Sequence, residues 1–175
     1  MSIRRLAIAW RPFGIENHCA KGASEAKLAR LQKLGAIPRE LFALLAWHDG
    51  SRDRGIDGYY RLLSCAEIAR FKKQMDALVP DFEDAWMPGE WWNLEWIPFL
   101  EFEGDLICVD GNGRVTSYRA YRDARPVLAP SFRAWLAALV ERWQQVPEGS
   151  DEFAQVAFLD KHAPKGTKRV ARRRP

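Results

Sequence analysis

Between Asp81 and Asp110 the chain carries nine carboxylates and no lysine or arginine. The same stretch holds Trp86, Trp91, Trp92 and Trp96. Carboxylates at this density can move protons as a pair, ligate a hard cation, or attract a cationic partner. Glu101, Glu103 and Asp105 have the period-two spacing that places side chains on one face of a strand. That face reads as a solvated one beside the buried pattern of PFLEF rather than as an acid–base pair. In DGNG, Asp110 and Asn112 fall at alternate positions, as calcium ligands do. The glycine comes too early, however, and no glutamate closes the loop, so the segment reads as a hairpin turn. It leads into a strand, not a helix, which also removes GNG as a dinucleotide-binding turn.

Softer chemistry has less to work with. Cys19, Cys65 and Cys108, with His18, His48 and His162, are scattered apart from the His18–Cys19 neighbours, without the close spacing a zinc site needs. No G-x-S-x-G nucleophile elbow occurs. The expectation is a protein that is not an enzyme and needs no cofactor or metal. Trp135 and Trp143 fall on a helix stripe and read as core. Trp91 and Trp92 read equally as plugs of a core edge or as anchors of an interface, since loop tryptophans serve both ends.

The elements that must position these residues follow from periodicity. Ser24 caps a helix with Leu28, Leu31 and Leu34 on one face. A second helix starts at Pro38 and buries Leu41, Leu44, Leu45 and Trp47. GSRDRGIDG reads as a flexible loop, and YYRLL as a short strand. Ser64 and Glu67 form a capping box for a third helix with Ile68, Phe71, Met75 and Leu78, ending before Pro80. Residues 81–95 read as irregular. WIPFLEF, DLICVD and RVTSYRAY are successive strands, and the wholly apolar LICV predicts a central strand covered on both faces. PVLA is a short last strand. Ser131 opens a helix carrying Phe132, Trp135, Leu136, Leu139, Val140 and Trp143, and FAQVAFL is a short helix after it. Helices, then an antiparallel meander, then a helix predict an α+β domain: a central, mainly antiparallel sheet flanked by helices.

The net charge of +4 over 175 residues is unevenly placed. Residues 161–175 hold seven of the basic side chains and no acidic one, which leaves residues 1–160 with 20 basic and 23 acidic groups, a net of −3. The expected organisation is a domain over 1–160 and a basic, disordered tail over 161–175. Such a tail can bind nucleic acid at most without sequence preference. The opening MSIRRLAIAWRPF is too short in its apolar run for a signal peptide, no run approaches a membrane span, and three cysteines give no disulfide framework. A cytoplasmic protein with no membrane partner is expected.

Four segments in order resemble the SUKH superfamily, which includes the yeast cell-wall-assembly regulator and many bacterial proteins. They are Ile37–Pro38 leading to His48–Asp49–Gly50; Trp96–Ile97–Pro98; Gly104–Asp105 entering a strand that ends at Asp110; and Ser131–Phe132 followed by Trp135–Leu136. The resemblance runs from about Gly22 to Val140. It implies a non-catalytic α+β protein-binding domain, most often a bacterial immunity protein that neutralises a cognate toxin, in many cases a nuclease. The alternative is an intracellular regulatory interaction module of the cell-wall-assembly-regulator type. Phosphate-binding grooves of nucleases are basic, so an acidic surface complements them. On this reading the partner-binding candidates are Asp84, Glu90, Trp91, Trp92, Glu95 and Glu103, the tryptophans as anchors and the carboxylates as steering charges. The HDGSRDRGIDG loop is the next place to look.

Overall fold

A computed structural model describes residues 3–82, 85–87, 89–119 and 125–166. Helix α1 (Ile3–Trp10) and two 3-10 turns (Arg11–Phe13, Ile15–His18) lead into α2 (Glu25–Gln32) and α3 (Arg39–Trp47). Then come β1 (Arg61–Leu62), α4 (Cys65–Phe82), β2 (Ile97–Phe102), β3 (Asp105–Val109), β4 (Val115–Tyr118), β5 (Val127–Ala129), α5 (Phe132–Gln145) and α6 (Glu152–Lys161). The five strands form one antiparallel sheet in chain order, β1-β2-β3-β4-β5. The α+β architecture is as expected. No helix among the described residues is long and apolar enough to cross a membrane.

Local chemistry sets the element ends. Ser24 Oγ accepts the Lys27 N–H at 3.4 Å, Ser131 Oγ that of Ala134 at 3.1 Å, and Asp151 Oδ1 that of Ala154 at 2.8 Å. At α4 the capping box closes both ways: the Ser64 N–H donates to Glu67 Oε2 at 2.9 Å, and the Glu67 N–H donates to Ser64 Oγ at 3.3 Å. The β3–β4 turn is built on Asp110, whose carboxylate accepts the Asn112 and Arg114 N–H groups at 3.0 and 2.9 Å and the Arg114 guanidinium at 2.7 Å. Its oxygens are occupied by the turn itself.

The middle strand β3 divides two apolar layers. Ile107 and Val109 face a layer with α1, α3 and α5, centred on Trp10, Phe99, Trp135 and Trp143. Leu106 and Cys108 face a second layer of Trp91, Trp92, Trp96 and Tyr118, covered by Phe71, Met75 and Val79 of α4. All four LICV residues are buried, because both faces of the strand are covered.

Several expectations need correction. Helix α1 has no counterpart in the sequence reading; its short run is amphipathic, and Leu6 and Trp10 are fully buried. Helix α4 continues through Pro80 to Phe82, and Phe82 stacks on Trp91 at 4.2 Å and 12°, which holds the last turn in place although proline donates no bond there. Leu78 is 41% exposed; Val79 packs in its stead. Trp47 is half-buried, stacked on Trp10 at 5.4 Å. The carboxylates 101, 103 and 105 do not share one strand: Glu101 is the penultimate residue of β2, Asp105 starts β3, and Glu103 lies in the two-residue turn between the strands.

The GSRDRGIDG segment is not a loose loop either. Ser51 and Arg54 to Gly58 are buried. Asp57 accepts the Trp135 indole N–H at 3.1 Å and pairs with Arg142, while the Ile56 carbonyl accepts the Trp143 indole N–H at 2.9 Å. Two charged groups and two indoles thus bind this segment to α5. Gly50 leads into it with φ +95°, and a Cβ there would stand 2.9 Å from the Ser64 nitrogen, so only glycine lets the two backbones approach.

Candidate functional site

The residues singled out from the sequence fall in different places. Asp84 lies outside the described residues. Trp91 is 8% exposed, between Phe82 and the edge of Tyr118. Trp92 is 1% exposed, and its indole N–H donates to Asp76 Oδ1 at 2.8 Å. Both rings are spent on the α4 layer, which is the packing alternative. Glu95 is exposed at the start of β2, beside Gly111, and Glu90 is half-buried in the preceding turn. Glu103 is exposed at the other end of β2. Six strand residues separate the two ends, about 20 Å at roughly 3.3 Å per residue. The fold therefore does not gather Glu90, Glu95 and Glu103 into one site.

The HDG motif turns out to hold the fold. His48 is buried, with Nδ1 3.0 Å from the Ala20 carbonyl and its ring 4.1 Å from that of Trp47. The Asp49 carboxylate accepts the Cys65 N–H at 2.7 Å and the Lys27 ammonium at 2.6 Å, joining α2 to the start of α4. Burial alone would raise its pKa, but these two donors hold it below the ordinary value of 3.8. The thiols are inert at neutral pH. Burial pushes Cys19 up to about 11 and Cys65 up to about 12, and raises fully buried Cys108 as well. Among the described residues no three His, Cys, Asp or Glu side chains stand together as a metal site would require.

A surface feature of another kind lies where Glu103 is. Residues 53–61, the β2–β3 turn and the first turn of α6 enclose an open groove of about 540 Å³. Its floor is an aromatic pair, Tyr59 and Phe102, with ring centroids 5.1 Å apart and planes 27° apart. Phe153 of α6 forms a wall and is 74% exposed, more than the other exposed large hydrophobic side chains. Asp53, Glu101, Glu103 and Glu152 supply the rim. Arg61 is neutralised within the wall by Glu101 at 2.9 Å and Glu67 at 2.8 Å. Beneath α6, the buried Arg54 donates to Gln155 Oε1 and to the Phe13 carbonyl, fixing the helix against the loop.

Sequence reasoning singled out Glu103, which lines this groove, and pointed to the loop that supplies Asp53. It missed Tyr59, Phe102, Glu152 and Phe153. The available signal was Phe153 itself, a large apolar residue in a helix with little amphipathic bias. No curated protein matches the chain. The model of the SMI1 / KNR4 family (SUKH-1) matches residues 22–138, from just before α2 into α5, and the chain therefore belongs to that family.

Proposed function

We propose that the chain is a non-catalytic protein-binding domain of the immunity type, which neutralises a toxin-type partner by covering a basic surface on it. Membership of the family supports a protein-interaction domain. The observation that carries the reading is the open groove at the β2–β3 turn. An exposed aromatic floor and wall rimmed by carboxylates is the composition of a contact surface, with rings as anchors and charges as guides. The body's net charge of −3 over residues 1–160 extends that field and favours a basic partner such as a phosphate-binding enzyme. Glu90 and Glu95, at the far end of β2, add to the steering field without contacting the same part of the partner. The place of action is the cytoplasm of the producing cell.

The test is growth rescue. Cells expressing the toxin encoded beside this chain should survive when the chain is co-expressed, and the two proteins should co-purify. Charge reversal at Glu103 should slow association and flatten its salt dependence, while leaving the fold intact. Absence of both rescue and co-purification with the unaltered chain would defeat the proposal.

A further inference from the structure

We infer that the groove is an arginine pocket: the guanidinium of a partner's arginine lies on the Tyr59–Phe102 stack, Phe153 covers it, and Asp53, Glu103 and Glu152 accept its N–H groups. This rests on the reading of the chain as a protein-binding domain, and names the chemistry its groove selects.

The carboxylates are unequal. Glu101 is already engaged, by Arg61 at 2.9 Å and by the Gly104 N–H at 3.1 Å. The other three have acceptor capacity to spare. Asp53 is 81% exposed in its side chain and among the described residues meets only His18, at 3.4 Å. Glu152 is 56% exposed and stands 3.8 Å from the Arg54 Nε, beyond hydrogen-bond reach. Among the described residues no hydrogen bond or ion pair engages Glu103. Among the described residues the one cation lining the groove, Arg61, is matched inside the wall by two glutamates. The buried Arg54 offsets Glu152 from below, so the pocket presents the net negative charge of Asp53 and Glu103 around apolar rings.

That combination selects among cations. A guanidinium is planar and weakly hydrated; it stacks on a ring while donating in its own plane to carboxylates around it. A compact, strongly hydrated ammonium cannot do both at once. The ring wall also gains when covered, because an exposed phenyl group orders water around it. Glu152 and Phe153 lie beyond residue 138, outside the stretch matched by the family model, so one wall of the pocket is a feature of this chain and not of that stretch.

The test is an NMR titration of the full chain with the peptide acetyl-Gly-Arg-Gly-Arg-Gly-amide, and with versions carrying citrulline or lysine for arginine. Saturable shifts are expected at Tyr59, Phe102 and Phe153. The lysine version should bind at least about fivefold more weakly, and the uncharged citrulline version should not saturate. Phe153→Ala and Glu103→Gln should each weaken the arginine peptide by about fivefold or more without lowering the denaturation midpoint, since both side chains face solvent. Equal binding of the lysine or citrulline peptide, or shifts that map elsewhere, would overturn the assignment. Much tighter peptide binding after removal of residues 167–175 would identify the chain's own basic end as the occupant, and concentration-dependent dimerisation lost in Phe153→Ala would identify a second copy; either result overturns a partner's arginine. In cells, loss of protection by the Phe153→Ala/Glu103→Gln pair supports the pocket. Full protection by that pair refutes it and leaves the immunity reading standing. Failure of the unaltered chain to protect refutes the immunity reading, and the titration still decides the pocket.

Discussion

Removing the Asp57 carboxylate should be among the costliest single changes to the fold. Its side chain is 5% exposed and pairs with Arg142, itself 7% exposed, while also accepting the Trp135 indole N–H at 3.1 Å. Asp57→Ala leaves a buried guanidinium without its counter-charge and an indole N–H without an acceptor. Breaking one side of a buried pair costs about 3–5 kcal/mol. Among the described residues Arg142 then keeps only a long contact to the Leu159 carbonyl at 3.4 Å, too weak to compensate. For a domain of this size about 2–4 °C follows each kcal/mol, so the midpoint temperature should fall by roughly 6–20 °C. Urea denaturation followed by tryptophan fluorescence measures the loss. Asp57→Asn separates the causes: the amide oxygen can still accept from Trp135 but carries no charge, so it should lose nearly as much as alanine. Adding Arg142→Met to Asp57→Ala should recover at least about 1 kcal/mol, because the stranded charge is gone. A loss under about 1 kcal/mol in Asp57→Ala, or no recovery in the double variant, would refute the argument that this ion pair secures the groove-bearing loop to α5.

Three further outcomes are expected. Trp135→Ala, at a side chain with no exposure and packed edge-on against Phe99 at 4.9 Å, should cost about 3–5 kcal/mol; an unchanged urea midpoint would contradict its place in the core. Asp49→Asn should destabilise most at neutral pH. The folded-state pKa lies below 3.8, so the carboxylate's contribution is complete above that value and is lost as pH falls through the folded one. The gap between variant and parent should therefore narrow from about pH 5 downward, and a gap independent of pH would exclude this linkage. Glu103 has φ +49° and Gly104 φ +87°, the conformation that favours Asn-Gly in a two-residue hairpin. Glu103→Asn should thus raise stability by about 0.5–1 kcal/mol while removing a carboxylate from the groove, and equal or lower stability would show that the turn is not strained.

The turn and the groove share one residue. A glutamate occupies a left-handed position that asparagine would fill with less strain, and its side chain lines the groove beside the aromatic pair.

What the sequence determined by itself was whatever depends on neighbours in the chain. Ser24, the Ser64–Glu67 box and Ser131 mark helix starts because a cap and its orphan N–H lie within three residues. DGNG closes a hairpin because Asp110 binds amides two and four residues on. LICV reads as a central strand because an unbroken apolar run must be covered on both faces. The ordered motifs from Ile37 to Leu136 were enough for the family.

Tertiary structure alone decided burial and assembly. Trp91 and Trp92 look the same in sequence whether they face a partner or α4, since a large apolar ring requires cover but does not name it. GSRDRGIDG has the composition of a solvated loop, yet most of it is buried because Asp57 meets Arg142 eighty-five positions away. No local pattern encodes that separation. The groove has the same origin: Tyr59, Glu103 and Phe153 stand about fifty residues apart in the chain and become neighbours only when the β2–β3 turn and α6 close over the anchored loop. Long-range ion pairing and packing, whose partners carry no fixed spacing, set the site, whereas hydrogen bonds of short span set the elements that frame it.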